Sequence, residues 1–173
     1  SEVIIALHND FIKGGGVEKH TDWVAKLNGM FSFALWDSKR KELILARDAL
    51  GIKPLVRCEV DGSLLFASEI KAFHAHESYQ PRLDKLSLAL RLSWEYNLDS
   101  STLIDGVHQV RPGTVEVWRL DDNSRPYLHN VGSFERQAIK PEFVWNPDTN
   151  AKSLLESFTV SVQERLMADV PVG

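Results

Sequence analysis

Between Gly29 and Ala72 the sequence runs GMFSFALWD, a charged turn, ILARDALGIKPL, a second turn and LLFASEIKA. Apolar blocks that each end on a polar or glycine signal leave few folds open, because every such signal reverses an extended chain. Met30 to Trp36 is almost continuously apolar, which predicts a strand covered on both faces. Asp37 to Lys41 turns the chain and Leu43 to Ala46 returns it. Asp61-Gly62 is a two-residue hairpin signal between Leu55 to Val60 and Leu64 to Ala67. Three strands and two turns, paired antiparallel, are the expectation.

The flanks supply helices and further strands. Val3, Ile4, Leu7 and Phe11 recur at helical spacing from Glu2 to Ile12, and Gly14-Gly15-Gly16 stops that element. A short helical segment with Thr21 as its cap leads to Asn28-Gly29. Glu69 to Phe73 predicts a short helix, and Asp84 caps another that carries Leu86, Ala89 and Leu90. Thr102 to Leu120 reads as two short strands around Arg111-Pro112-Gly113, after which the sheet is expected to end. Arg125 to Asp148 lacks periodicity and reads as a connector. Thr149 to Met167 is the clearest helix, with a stripe of Ala151, Leu155, Phe158, Val162 and Leu166, a cap at Thr149 and a stop at Pro171. That stripe needs a partner surface, so the chain is expected to stop in the middle of a larger structure.

Size and charge narrow the function classes. With 173 residues, 43% of them apolar, the chain can bury one core of ordinary size. A net charge of −4 and no basic cluster beyond Lys39-Arg40-Lys41, which reads as a solvated turn, argue against nucleic-acid binding. No apolar run approaches the roughly 20 residues a membrane span needs. Cys58 has no disulfide partner in the chain, and a reducing, cytoplasmic setting is expected.

Candidate chemistry is sparse. Ser1 could act as a terminal nucleophile, but Ser directly before an amphipathic helix is a preferred cap. Cys58 beside Arg57 lies in a strand, where neighbours face opposite ways, so a structural role is expected. His74 and His76 lack partners at zinc spacing, and no metal site is expected. Arg47-Asp48 with Gly51 and Pro54 reads as an Arg–carboxylate pair bracing a tight loop. Ser68-Glu69 reads either as a helix cap with a first-turn carboxylate or as polar groups presented to a cleft.

Together, GMFSFALWD, ARDALGIKPL and LLFASEIKA closely resemble the second half of the glutaminase domain of glutamine-hydrolysing asparagine synthetases, which are class II glutamine amidotransferases. SEVIIAL at Ser1 to Leu7 is similar to a helix of that domain, TLIDGVHQVRPG at Thr102 to Gly113 to its closing segment, and RLMADVPVG at Arg165 to Gly173 to the lead-in of an ATP pyrophosphatase motif. The resemblance is weakest in the connector, where the family's Tyr-Trp pair is not seen around Tyr127-Leu128.

The resemblance implies an α+β fold, part of an N-terminal-nucleophile αββα sandwich with antiparallel sheets. Residues 1–120 would be the latter half of the glutaminase domain, 121–148 a linker, and 149–173 the first, truncated helix of a synthetase domain. In the family an N-terminal Cys attacks the glutamine amide, ammonia passes through a channel, and ATP with magnesium activates aspartate at a second site. Those catalytic and substrate-binding residues match positions before Ser1, and the pyrophosphate turn matches positions after Gly173. The chain alone is therefore expected to hold no cofactor and no catalytic residue and to be inactive, and its bare strand edges are expected to pair with missing segments or with itself. Met30 matches a residue of the ammonia-channel wall, or is a core methionine. Arg47, Asp48, Gly51, Pro54, Ser68 and Glu69 are the scaffold around the site. A lactam- or macrocycle-forming synthetase with a scaffold-only domain of this kind, and a non-enzymatic interaction module, are the alternatives.

Overall fold

The computed structural model describes residues 2–97, 99–134 and 146–166, and the chain divides into two compact units, Ser1–Arg136 and Gln137–Gly173. In the first, α1 (Glu2–Lys13) and the single turn α2 (Thr21–Val24) precede the strands β1 (Ser32–Asp37), β2 (Glu42–Arg47), β3 (Val56–Val60) and β4 (Ser63–Ala67). A 3-10 helix (Ile70–Ala75), α3 (Lys85–Trp94), β5 (Val107–Gln109), β6 (Thr114–Leu120) and β7 (Pro126–Ser133) follow. Two antiparallel sheets result, ordered β1-β2-β6-β7 and β4-β3-β5.

Strand alternation sorts the side chains into layers. Ile44, Ala46, Val115 and Val117 face one side of the four-stranded sheet, where Trp23, Val24, Ile4, Leu7 and Phe11 of the helical layer cover them. Leu43, Leu45 and Trp118 face the other side and meet Leu55, Leu64 and Val110 between the sheets. On the outer face of the smaller sheet, Val56, Cys58 and Val107 pack with Phe73 and Tyr79. Arg57 crosses the inter-sheet layer to Glu116 at 2.7 Å and lies 5.0 Å from the Trp118 ring centroid, so its charge is paired where water is scarce.

Several local expectations hold. Asp61 (φ 48°) and Gly62 (φ 71°) form the tight turn of the β3–β4 hairpin, and Asp84 caps α3 by accepting from the Leu86 and Ser87 amides. Others need correction. The apolar block at Met30 to Trp36 is an edge strand with Trp36 52% exposed, and the strand buried on both faces is β2. The two strands around Arg111-Pro112-Gly113 do not pair with each other: β5 joins β3 and β6 joins β2. The larger sheet does not end at Leu120, because β7, inside the expected connector, pairs with β6 across a register shift at Val117/Trp118. His20, not Thr21, stands at the N-cap of α2, without a side-chain cap bond.

In the second unit, α4 spans Pro147–Gln163. Its cap is Asn146, whose side chain accepts from the Asp148 and Thr149 amides, with Pro147 in the first turn; Thr149 is therefore inside the helix rather than its cap. Leu166 lies past the end of α4, and the expected stop at Pro171 falls outside the described residues, as does Ser1.

Candidate functional site

The loop from Arg47 to Pro54 leaves the buried strand β2 and is densely hydrogen-bonded. Asp48 is 2% exposed, and its carboxylate accepts four backbone N–H bonds: Leu50 at 3.2 Å, Ile52 at 2.9 Å, Lys53 at 3.0 Å and Phe31 at 3.3 Å. Burial alone would push this carboxyl up; the bonds from Lys53, Ile52, Leu50 and Phe31 outweigh it and hold the pKa below the ordinary value. The Arg47 guanidinium donates to the carbonyls of Lys53 (2.8 Å), Gly51 (2.8 Å) and Val110 (2.9 Å), and to Gln109 Oε1 (3.2 Å). It thereby ties the end of β2 to the end of β5 in the other sheet. The expected brace is present, yet its bonds differ from the expected pair: each ion grips backbone rather than its neighbour, as successive side chains leaving a strand point apart.

Gly51 and Pro54 belong to the same device. Gly51 has φ +64°, and a Cβ there would lie 2.7 Å from Pro112 Cγ, so the loop and the Arg111–Gly113 turn are in direct contact only because the side chain is absent. The Pro54 carbonyl accepts from Ser32 Oγ at 3.1 Å, which ties the loop to β1. Around the brace, Met30 (50%), Leu50 (79%) and Ile52 (53%) are exposed, so Met30 is not part of the core. The amides of Phe31, Leu50 and Ile52 share one carboxylate, which brings the backbone next to Met30 and that of Leu50 and Ile52 together.

Ser68 and Glu69 are exposed between β4 and the 3-10 helix. Glu69 sits at the N-cap position without a side-chain cap bond and pairs with Lys71 at 2.8 Å, so the capping version of that motif is not what its carboxylate does. Cys58 is buried, and burial first, then Glu59, pushes its thiol up, as expected of a structural cysteine. His74 stacks edge-on against Tyr79 at 5.3 Å, and no group of three or more His, Cys, Asp and Glu side chains suited to a metal ion occurs among the described residues.

A family model described as a glutamine amidotransferase domain matches residues 1–128. The chain belongs to the glutamine amidotransferase domain family. Glutamine-hydrolysing asparagine synthetase 3 of Bacillus subtilis is 33% identical over 157 residues, 90% of the chain and 24% of the relative. Asparagine synthetase B of Escherichia coli is 30% identical over 99% of the chain and 24% of its own length, and amidase chry2 of Gibberella zeae is 34% identical over the same shares. The chain thus spans about a quarter of the length of the curated relatives it matches. In this glutamine amidotransferase domain the braced loop and the exposed Met30, Leu50 and Ile52 lie within the matched residues, as does β7 up to Leu128.

The domain also contains a polar cluster that sequence reading did not single out. Glu42, 1% exposed on β2, accepts from Arg40 Nε at 2.8 Å and Arg119 Nε at 3.0 Å, with His20 Nε2 3.5 Å away. Trp23 Nε1 donates to His20 Nδ1 at 3.1 Å, and His8 Nε2 lies 3.7 Å from Asp37 Oδ2. Arg40 also donates to the Val17 carbonyl. These residues come from two helices, three strands and two loops, so no spacing in the sequence announces them; the one available signal is a Glu at the start of a strand otherwise buried throughout.

Proposed function

We propose that the chain is a scaffold portion of an ATP-dependent, glutamine-hydrolysing amide ligase of the asparagine synthetase type. The observation that carries this reading is the braced Arg47–Asp48 loop holding an exposed apolar end at Met30, Leu50 and Ile52, within a domain whose relatives include several glutamine-hydrolysing asparagine synthetases. In the parent protein a cysteine outside this chain attacks the glutamine amide carbon and ammonia leaves; the Asp48 loop supports the pocket wall and Met30 lines the path of the ammonia. An uncharged, apolar wall suits a small neutral molecule that must not be protonated on its way to an activated aspartate. ATP and magnesium serve that second step elsewhere in the parent. The glutaminase portion continues through β7, the linker follows, and α4 opens the synthetase portion. The parent works in the cytoplasm, where the unpaired Cys58 stays reduced.

The test has two arms. The isolated chain releases no ammonia from glutamine, and the parent-length protein forms asparagine from aspartate, ATP and glutamine; clear glutamine hydrolysis by the isolated chain overturns the scaffold assignment. A second reading is a parent that closes a lactam or macrocycle with this domain as structure only; that the relatives include an amidase, similar over 99% of the chain, shows that not all of them are named as asparagine synthetases. A parent-length protein that consumes ATP but never releases ammonia from glutamine supports that reading. A chain that captures one specific protein and has no ligase activity at parent length supports the non-enzymatic module.

A further inference from the structure

His8 on α1 and His20 at the start of α2 are stacked, their ring centroids 6.0 Å apart and their planes inclined by 8°. Both side chains are almost wholly enclosed, with 7% and 2% exposure. The Trp23 indole N–H donates to His20 Nδ1, so that nitrogen carries no proton in the folded chain. Among the described residues neither Nε2 has a hydrogen-bond partner.

The groups facing the imidazoles are Asp37 on β1, Arg40 in the β1–β2 turn and Glu42 on β2, with Arg119 on β6 paired to Glu42. Glu18 and His129 line a small void beside His20, and Lys13 and Lys39 line the cleft beside His8. Of these, Glu18, Lys13 and Lys39 are exposed and screened by solvent. Around the imidazoles two partly exposed guanidinium groups, Arg40 and Arg119, balance two carboxylates, Asp37 and Glu42, provided both imidazoles are neutral. Protonating them would place two uncompensated like charges about one ring-stacking distance apart and would remove the acceptor that holds the Trp23 indole.

We propose that the stacked His8–His20 pair is an acid-sensitive latch that fastens α1 and α2, and through α2 the segment carrying Met30, to the four-stranded sheet. The mechanical link is short. Trp23 is 1% exposed in the core beneath the helices, the chain after α2 continues by backbone bonds from Lys26 to Trp23 and from Leu27 to Val24, and Phe31 is then held by Asp48. Burial lowers both imidazole pKa values, against the opposing pull of Asp37 on His8 and of Glu42 on His20. The sign follows: histidines that bind protons only when released make unfolding more favourable as pH falls below their unfolded value of about 6.5. The latch is closed above that value and strained below it. It stands independently of which amide donor the parent uses.

The experiment uses the full 173-residue chain. Between about pH 7.5 and about pH 5.5 the unfolding equilibrium constant, from urea titrations, is expected to rise, by at most about tenfold per histidine and about a hundredfold for the pair. His20→Gln keeps an acceptor for Trp23 and a donor toward Glu42, so it should fold and cut the rise to about its square root; His8→Gln should do the same, and the double variant should flatten it. Amide exchange at Met30 and Phe31 should accelerate at the lower pH in the wild type and not in the double variant. An undiminished pH response in either single variant, or a His8 or His20 ring resonance that titrates near 6.5 in the folded wild type, overturns the proposal. Should a variant fail to fold, the ring titration of the wild type decides alone.

Discussion

Asp48 satisfies four amides with one carboxylate, and nothing else in the loop can replace it. Orphaned buried N–H groups cost roughly 1–3 kcal/mol each, less where water enters, so Asp48→Ala should lower stability by about 3 kcal/mol in urea unfolding. Its carboxyl is held below the ordinary range, so the stability it contributes is fully present above the unfolded value of about 3.9 and is lost as pH falls through the lower folded value. The acid limb of the stability profile should therefore flatten in Asp48→Ala. Gly51→Ala meets both a positive φ and Pro112, and should cost about 1–3 kcal/mol with a thermal shift to match. The brace was legible in the sequence because Gly51 and Pro54 allow only a tight turn after a charged pair. Its bonding was not, since the acceptors of Arg47 at Gln109 and Val110 lie 62 and 63 residues further along the chain. Glu42 was illegible for the same reason: a strand Glu reads as solvent-facing until Arg119 and His20 converge on it.

Among the elements, β1 and β7 are the edges of the larger sheet, and β1 presents exposed Ala34 and Trp36 beside an unpaired backbone edge. The isolated chain should self-associate through it. Trp36→Lys adds a charge on that edge and should weaken association at least tenfold by sedimentation equilibrium, leaving the far-ultraviolet circular dichroism unchanged; equal association in the variant would place the contact elsewhere. The hairpin at Asp61-Gly62 and the cap at Asp84 were readable because their signals are local. The strand β7 was not, because its residues are mostly exposed and it owes its place to pairing with β6 and to Gly132, where a Cβ would come within 2.6 Å of Thr21 Cγ2. The burial expected of β1 belongs to β2, because continuous apolarity reports how much a strand can bury and not where it stands in the sheet order.

Across the first unit, helices, two sheets and a further covering layer are joined by three apolar clusters, and the Arg47–Asp48 loop is where both sheets and the entry to β1 are fastened together. That loop supports a glutaminase pocket only if damage to it separates the two half-reactions of the parent. The most direct measurement is amide formation by the parent-length protein carrying Asp48→Ala, with glutamine and with free ammonia as alternative nitrogen donors. A loop that supports the glutaminase pocket gives at least a tenfold loss with glutamine and little change with ammonia; equal rates from both donors relative to wild type, or equal losses in both, would contradict that role.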